Sequence, residues 1–215
     1  MSITASDIAA LRAKTGAGMM DCKNALDEAN GDAEKAVDIL RKKGAMKAAK
    51  RADKIAAEGT VASYIHGAGK IGVLVEMNCE TDFVGKTDEF KNLVTEVAMH
   101  IAATNPKYLS RADVPAEVLE KEKNVYRDQL KTENKPAEMI EKIIEGKLGK
   151  FYSEVCLLEQ PFIKDEDKTI EKMLAEKTGE IGEKVTLRRF ARFELGEGIE
   201  KKVHDLGAEV AEQLK

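Results

Sequence analysis

The sequence has little aromatic content and no long apolar run. Aromatic side chains make up 5% of the 215 residues, there is no Trp, and no segment approaches the apolar length that crosses a bilayer. The N-terminus also has no basic leader followed by an apolar run. We therefore expect a helix-rich cytoplasmic protein with no membrane partner.

The chain also lacks an excess of positive charge. Its formal net charge is -4, whereas a general nucleic-acid binder needs Lys and Arg to neutralise phosphates. One basic segment runs from Arg41 to Lys54, with seven Lys or Arg against Asp53. It could be an anion-binding arm, but it has no aromatic residue to stack on a base, and its alanines favour a solvated helical linker. We expect no nucleic-acid partner.

Motifs for metal binding and covalent catalysis are missing. Cys22, Cys79 and Cys156 are odd in number and far apart, which predicts free buried thiols in a reducing compartment. The histidines have no Cys or His neighbours at ligand spacing, and C-x-x-C, H-E-x-x-H and G-x-S-x-G do not occur. The stretch "KDEDKT" lacks the turn glycine and the bidentate Glu of a calcium loop, so it predicts a polar loop. We expect no metal, no cofactor and no enzyme active site.

Residues 1–50 predict a module of three short helices. Their spans are 7–14, 19–29 and 33–43, and Asp32 is the cap of the third. Each span ends near a glycine that can adopt a left-handed backbone, namely Gly16, Gly31 and Gly44. A charged helical linker follows at 51–58.

The rest of the chain predicts an α+β core at 59–195 and a helical C-terminal module at 196–215. Strands at 60–66 and 71–77 flank the turn Gly67-Ala68-Gly69, and a helix at 88–102 begins at Thr87. Residues 115–160 predict a helical hairpin broken at Pro136, and a last amphipathic helix starts at Ile199. A third strand at 185–195 should join one antiparallel sheet with five side chains on one face: Val185, Leu187, Ala191, Phe193 and Leu195.

The order of strand, Gly85-Lys86-Thr87 and helix raises the question of nucleotide binding, because a P-loop has the same order. A Walker A loop needs a glycine five positions before Gly85, so that bare amides can wrap the phosphates. Glu80 occupies that position, and the carboxylates of Glu80 and Asp82 would repel a triphosphate. The segment therefore does not predict a P-loop.

Asp82 and Phe83 stand side by side in a tight loop after the second strand. From the residues alone we favour a packing role, in which Phe83 caps the core and Asp82 caps the following turn. The alternative is a probe, with a ring that enters a partner protein and a carboxylate that disturbs a charged site there. A family resemblance decides between these two interpretations.

Three stretches resemble the elongation factor Ts family, the nucleotide exchange factors of the GTPase elongation factor Tu. They are "LRAKTGAGMMDCKNALDEANGD", "IHGAGKIGVLVEMNCETDFV" and "RFELGEGIEKKV", and together they reach nearly the whole chain. The resemblance implies an N-terminal module similar to ubiquitin-associated domains, elongation factor Tu as the partner, and exchange without bond chemistry.

The resemblance also implies a role for each matching residue. Phe83 would insert between helices of the GTPase domain, and Asp82 would approach its magnesium region. The tetrapeptide that carries this contact consists of Thr81, Asp82, Phe83 and Val84. Further contacts are implied for Arg12, Met19, Met20 and His66, and for the helix after Gly198.

The sequence departs from longer relatives, which carry two similar β-subdomains in one chain. Only one hairpin-helix unit is found here, so we expect a homodimer in which a second chain supplies the missing half. Two rival functions remain at this point. An adaptor would bind an unrelated protein through residues 1–50 and be indifferent to Asp82 and Phe83, and a degenerate nucleotide-binding protein would bind GTP or ATP directly.

Overall fold

The computed structural model of the chain describes residues 3–131 and 137–199 and has the α+β fold class that the sequence predicts. It begins with three helices, α1 (Ala5–Thr15), α2 (Met19–Glu28) and α3 (Ala33–Arg51). Strands β1 (Glu58–His66) and β2 (Ile71–Cys79) follow, then the single-turn helix α4 (Asp82–Gly85) and the long helix α5 (Asp88–Thr104). The remaining elements are α6 (Ala116–Lys131), α7 (Ala137–Val155), β3 (Pro161–Phe162), β4 (Asp165–Thr169), α8 (Ile170–Ile181) and β5 (Thr186–Glu194).

The N-terminal helices begin where their capping residues indicate. Thr4 caps α1 by accepting a hydrogen bond from a backbone N–H three residues later, and Gly16 ends that helix with a φ of 69°. Asp32 caps α3, since its carboxylate accepts from the N–H groups of Glu34 and Lys35. The three helices share a small core of Leu11, Cys22, Ala25, Leu26, Ala29, Ala36 and Leu40.

Helix α3 continues through Gly44 to Arg51, so the prediction that it ends near Gly44 is wrong. Gly44 does not have a positive φ. It lies against Gly179 of α8, where a Cβ added to Gly179 would come within 2.8 Å of the Gly44 Cα atom. The glycine serves a close helix crossing rather than a helix end. Most of the predicted basic linker segment is therefore helix.

Strands β1, β2 and β5 form the predicted antiparallel sheet, in the order β1-β2-β5. The turn between β1 and β2 has positive φ at Gly67, Ala68 and Gly69. Helix α5 packs on one face of β1 and β2, and its cap Thr87 accepts a hydrogen bond from the N–H of Phe90. The main core lies between this helix and the sheet and includes Val73, Val75, Met77, Phe90, Leu93, Val94, Val97 and Ile101.

Strand β5 contains a β-bulge at Arg188. Glu76 of β2 pairs with Arg189, and the next residue, Met77, pairs with Leu187, so that Arg188 is the extra residue. The bulge leaves both arginines within reach of one carboxylate. Arg188 Nη1 and Arg189 Nε donate to the two oxygens of Glu76 at 2.8 and 2.6 Å.

The bulge reverses the side-chain alternation of the strand, so the predicted single apolar face is wrong for its second half. Val185 and Leu187, before the bulge, are buried as predicted. Phe193 and Leu195, after it, are 68% and 74% exposed, and Phe190 packs against the main core instead. One extra residue in a strand moves every later side chain to the other face.

The region after α5 differs from the prediction at its C-terminal end. Helices α6 and α7 pack together as the predicted hairpin, but α7 ends at Val155 instead of near 160, and Pro136 lies outside the described residues. The stretch "KDEDKT" is mostly strand β4, paired with β3, and not a polar loop. Helix α8 is not predicted from the sequence, because its buried apolar stripe is short. The predicted helix that starts at Ile199 also lies outside the described residues.

The three cysteines are free and buried, as predicted. Burial raises the pKa of the Cys156 thiol to about 11, so this thiol is protonated at neutral pH. Across residues 3–131 and 137–199, no helix is both long enough and apolar enough to cross a membrane.

Candidate partner-binding site

The tetrapeptide from Thr81 to Val84 forms one exposed turn directly after β2. Thr81 has an extended backbone and caps α4, because its hydroxyl accepts a hydrogen bond from the N–H of Val84. The Val84 side chain packs against the main core, whereas the Phe83 side chain is 79% exposed. The turn therefore presents an aromatic ring to solvent.

This geometry overturns the packing role that the residues alone favour. Phe83 does not cap the core, because Val84 takes the inward position one residue later. Asp82 is not the cap of either neighbouring helix, since Thr81 caps α4 and Thr87 caps α5. The ring is free to be covered by another molecule.

Asp82 provides a negative charge beside this ring. Lys86, four residues on, donates a hydrogen bond to the Asp82 carboxylate at 2.5 Å. That bond holds the pKa of the Asp82 carboxyl below its usual range, so the group is charged at neutral pH. A carboxylate and an apolar ring thus stand on adjacent residues of one turn.

Gly85, the first residue of the Gly-Lys-Thr sequence, has a packing role that accounts for its presence. It is buried, and a Cβ added to it would lie 3.0 Å from the Gly59 Cα atom of β1. Gly59 itself has a φ of 130°, and a Cβ there would come within 2.2 Å of the Met77 carbonyl oxygen. Both glycines are required for α4 to touch β1. Their role is therefore packing and not the wrapping of a phosphate.

The base of the turn is fixed by two distant parts of the chain. Glu80 accepts hydrogen bonds from Arg51, at the end of α3, and from the backbone N–H of Lys184, at 2.8 and 2.7 Å. The Lys184 N–H is the main cause that lowers the pKa of the Glu80 carboxyl, and Arg51 adds to it. Glu183 accepts from both the N–H and the hydroxyl of Thr81.

The start of α2, which carries Met19 and Met20, is joined to α3 one turn before Arg51. Both are exposed in the first turn of α2. The next residue, Asp21, forms an ion pair with Lys47 of α3 at 2.8 Å, and Arg51 lies four residues after Lys47. Because side chains four residues apart share a helix face, α3 holds the start of α2 and the base of the turn along one face.

His66 and Arg12 are not brought to the turn. His66 ends β1, at the opposite end of the β1–β2 hairpin, and a strand of this length separates the two ends by about 27 Å. The Tyr64 hydroxyl lies 3.0 Å from His66 Nδ1. Arg12 is exposed in the last turn of α1, and among the described residues no hydrogen bond or ion pair joins it to the turn.

The family described as Elongation factor TS matches this sequence over residues 6–197. The chain is 60% identical to the elongation factor Ts of Carboxydothermus hydrogenoformans, over 99% of this chain and 98% of the relative. The chain belongs to the elongation factor Ts family. It is also 59% identical to the relative from Geobacter sulfurreducens, over 98% of each chain, and 61% identical to that from Caldanaerobacter subterraneus subsp. tengcongensis, over 93% of this chain and 100% of the relative.

The family fixes the class of function. Elongation factor Ts is the nucleotide exchange factor of elongation factor Tu in translation elongation, and it is not an enzyme that makes or breaks bonds. The matched range includes the N-terminal helices, the sheet and the turn at 81–84. Family membership therefore argues against both an unrelated adaptor and a nucleotide-binding enzyme.

The structure adds residues to the base of the turn that the sequence does not indicate. The sequence places Arg51 in a solvated linker and Glu80 where it would repel a phosphate. No sequence pattern points to Glu183 and Lys184, because they follow α8, a helix that the sequence does not predict. No local signal links them to Thr81, since Glu183 is 102 residues away from it in the chain.

Proposed function

We propose that Phe83 and Asp82 form the exchange element that acts on elongation factor Tu. The single observation that carries this proposal is the exposed Phe83 ring on a turn whose base is hydrogen-bonded to two other parts of the chain. Burial of a Phe side chain stabilises by roughly 1.5–3 kcal/mol relative to leaving it in water. The ring is available for that gain because Val84, not Phe83, packs on the core. Thr81 and Val84 complete the element as its cap and its anchor.

In this proposal, the Asp82 carboxylate disturbs the magnesium and phosphate site of elongation factor Tu. Magnesium bridges protein oxygens and nucleotide phosphates, so that a shift of the metal removes a large part of the nucleotide affinity. A carboxylate inserted near the metal would favour that shift. In the free chain, Lys86 forms an ion pair with Asp82 and holds the pKa of its carboxyl below the usual range. Linkage requires the effect to be mutual: the factor lowers nucleotide affinity by the same ratio as nucleotide lowers affinity for the factor.

Arg12, Met19 and Met20 form a second contact on the N-terminal helices in this proposal. Methionine side chains adapt to irregular apolar surfaces, and both methionines are exposed in the first turn of α2. His66 forms a third contact at the far end of the hairpin. Its Nδ1 atom is engaged by the Tyr64 hydroxyl, which leaves Nε2 for a partner.

Release of labelled GDP from elongation factor Tu tests the exchange element. Catalytic amounts of the chain should accelerate release, and Phe83→Ala should weaken the complex by roughly tenfold to a hundredfold. Ile55→Ala is the matched control, because Ile55 is also highly exposed, at 83%, but lies outside the element. Full exchange activity of Phe83→Ala, together with a lower melting temperature, would instead assign Phe83 a role in stability.

We also infer a symmetric homodimer that buries the outer face of the sheet, the face opposite α5. Ile65, Gly72 and Phe193 are neighbours across three strands on this face, and Ile65 Cδ1 lies 3.5 Å from where a Cβ on Gly72 would be. The exposed apolar residues that support the inference are Val61, Ile65, Leu74, Phe193 and Leu195. An exposed patch of this kind favours association, and β1 and β5 are both open edges.

A second copy of the chain is the occupant that we infer for this face. A two-fold contact uses the same patch on both chains, and longer relatives, by the resemblance described above, carry two β-subdomains in one chain. The sheet and the α6–α7 hairpin would form the interface, with the N-terminal helices outside. Each dimer could then engage two molecules of elongation factor Tu in the cytoplasm.

A further inference from the structure

We infer that Glu183 is a positioning residue for the exchange element, and this inference rests on the function proposed for Phe83 and Asp82. Glu183 lies in the short connection between α8 and β5. One carboxylate oxygen accepts the Thr81 N–H at 3.0 Å, and the other accepts the Thr81 hydroxyl proton at 2.7 Å. A bidentate contact of this kind fixes both the backbone and the side chain of the residue that caps α4.

The contact controls which way the Thr81 hydroxyl points. A hydroxyl has one proton to donate and lone pairs with which to accept. Because the proton goes to Glu183, a lone pair is left facing the N–H of Val84, which donates to the same hydroxyl at 3.4 Å. The carboxylate therefore acts on α4 through Thr81, and it need not touch the partner.

Glu183 is itself held in place by a reciprocal arrangement. Gly182 ends α8 with a φ of 81° and turns the chain toward the base of the exchange element. Glu183 accepts from the backbone N–H of Thr81, and Glu80, the residue before Thr81, accepts from the backbone N–H of Lys184. The pairs Glu80-Thr81 and Glu183-Lys184 are thus joined twice. In each direction a backbone N–H of one pair donates to the carboxylate of the other. Neither segment can shift without loss of both contacts.

Helix α4 needs such external support because it is one turn long. A four-residue helix makes too few hydrogen bonds to offset the entropy of fixing its backbone. Its direction is therefore set by its two ends and by one side chain between them. Thr81 contacts Glu183, Gly85 contacts Gly59, and Val84 packs on the main core. Phe83 lies between these ends. Loss of Glu183 would let the ring sample many directions, and the partner would then have to select one of them.

A double-mutant cycle between Glu183 and Phe83 tests this role, with labelled GDP release from elongation factor Tu as the readout. Glu183→Ala should slow the stimulated release about tenfold, and in the Phe83→Ala background it should add less than about twofold, since the ring that it positions is gone. Glu183→Gln keeps one acceptor oxygen and should recover part of the loss. Glu171→Ala, an exposed carboxylate on α8, is the matched control and should change nothing.

Thermal unfolding of the same proteins separates positioning from stability. Glu183→Ala should lower the melting temperature by the same amount with and without Phe83, whereas its effect on exchange should depend on Phe83. An equal loss of exchange in both backgrounds would overturn the inference. A Phe83→Ala protein with normal exchange would instead overturn the proposed exchange element, and the two failures are therefore distinguishable.

A second variant keeps the test decisive if Glu183→Ala does not fold. Thr81→Val retains the backbone N–H that Glu183 accepts but removes the hydroxyl that orients α4. Like Glu183→Ala, it should slow exchange, and the slowing should depend on Phe83. Thr81→Ser keeps the hydroxyl and should exchange like the wild type. Wild-type exchange by Thr81→Val would also overturn the inference.

Discussion

Gly44 of α3 and Gly179 of α8 meet backbone to backbone, and this contact joins the N-terminal helices to the rest of the molecule. A Cβ on Gly179 would lie 2.8 Å from the Gly44 Cα atom and 2.9 Å from its carbonyl oxygen, which are distances that real Cβ atoms do not show. The same α3 carries Lys47, which pairs with Asp21 after the two exposed methionines, and Arg51, at the base of the exchange element. The glycine pair therefore sets the spacing between two surfaces that we propose to bind one partner.

Gly179→Val should force α3 and α8 apart. Overpacking of a close contact costs about 1–3 kcal/mol, so we expect the melting temperature to fall by about 2–12 °C in a chain of this size. Gly146→Ala in α7 is the control, because a Cβ at Gly146 meets nothing within 4 Å and should be neutral or stabilising. Calorimetry decides the matter, and equal melting temperatures for the two variants would contradict the role of the crossing.

Arg51→Ala should be more damaging than Lys47→Ala, although both remove one ion pair of α3. Arg51 contacts both oxygens of Glu80, whose side chain is 17% exposed, whereas Lys47 pairs with a more exposed Asp21. An exposed pair contributes little to stability, but removal of Arg51 leaves a largely buried carboxylate with less compensation. We expect Arg51→Ala to lower both the urea midpoint and GDP exchange. Equal effects of the two substitutions would show that Glu80 does not depend on Arg51.

Phe193→Asp should dissociate the inferred homodimer. Phe193 is 68% exposed on the outer face of the sheet, next to Gly72, so a charge there would be desolvated in the interface but harmless in a monomer. Light scattering at micromolar concentration should give twice the chain mass for the wild type and one chain mass for the variant. Ile55→Asp serves as the control and should remain dimeric. A monomeric wild-type chain, alone and with its partner, would refute the dimer.

His100 should make the fold less stable below about pH 6.5. The residue lies on α5 and is fully buried against the segment that contains β3, with Nε2 3.0 Å from Gln160 Oε1 and Nδ1 3.4 Å from the Ile163 backbone nitrogen. A backbone N–H can only donate, so Nδ1 accepts and the ring is neutral. Burial lowers the pKa of His100, and the unfolded chain therefore binds a proton that the folded chain does not.

The resulting stability is present above the pKa of about 6.5 for an unfolded histidine and is lost as the pH falls below it. Urea unfolding between pH 7.5 and 5.5 should show this decline for the wild type and less of it for His100→Gln. His66→Gln, at an exposed histidine, should behave like the wild type. A decline that persists unchanged in His100→Gln would assign the effect to other groups.

The sequence predicts this fold best where a single helix carries all of its own signals. Thr87 as a cap suffices to place the start of α5, and the apolar residues that recur along it at helical spacing are all buried: Phe90, Leu93, Val94, Val97, Ala98 and Ile101. Prediction fails where another element decides the outcome. Gly44 resembles a helix end until Gly179 is placed against it, and the bulge at Arg188 follows from pairing with β2 and not from the alternation in β5.

The candidate site shows the same limit. The family resemblance identifies Asp82 and Phe83, but the residues alone favour a buried ring, since either Phe83 or Val84 could occupy the inward position. The exposure of Phe83 is a result of how α4 is anchored, and its anchors come from β1 and from the connection before β5. Contacts between residues that are so distant in the chain are set by the tertiary fold and cannot be read from local patterns.

The bulge at Arg188 changes the face of the sheet on which every later side chain of β5 lies. Deletion of this one residue would restore uniform alternation, turn Phe193 toward the core and expel Phe190 to the surface. The sheet would keep its strands and its order, yet it would exchange the lining of its interior with the surface that we propose to bind a second chain. A single inserted residue thus lets one strand pack Leu187 before the bulge and Phe190 after it in the core, and still expose Phe193 on the outer face.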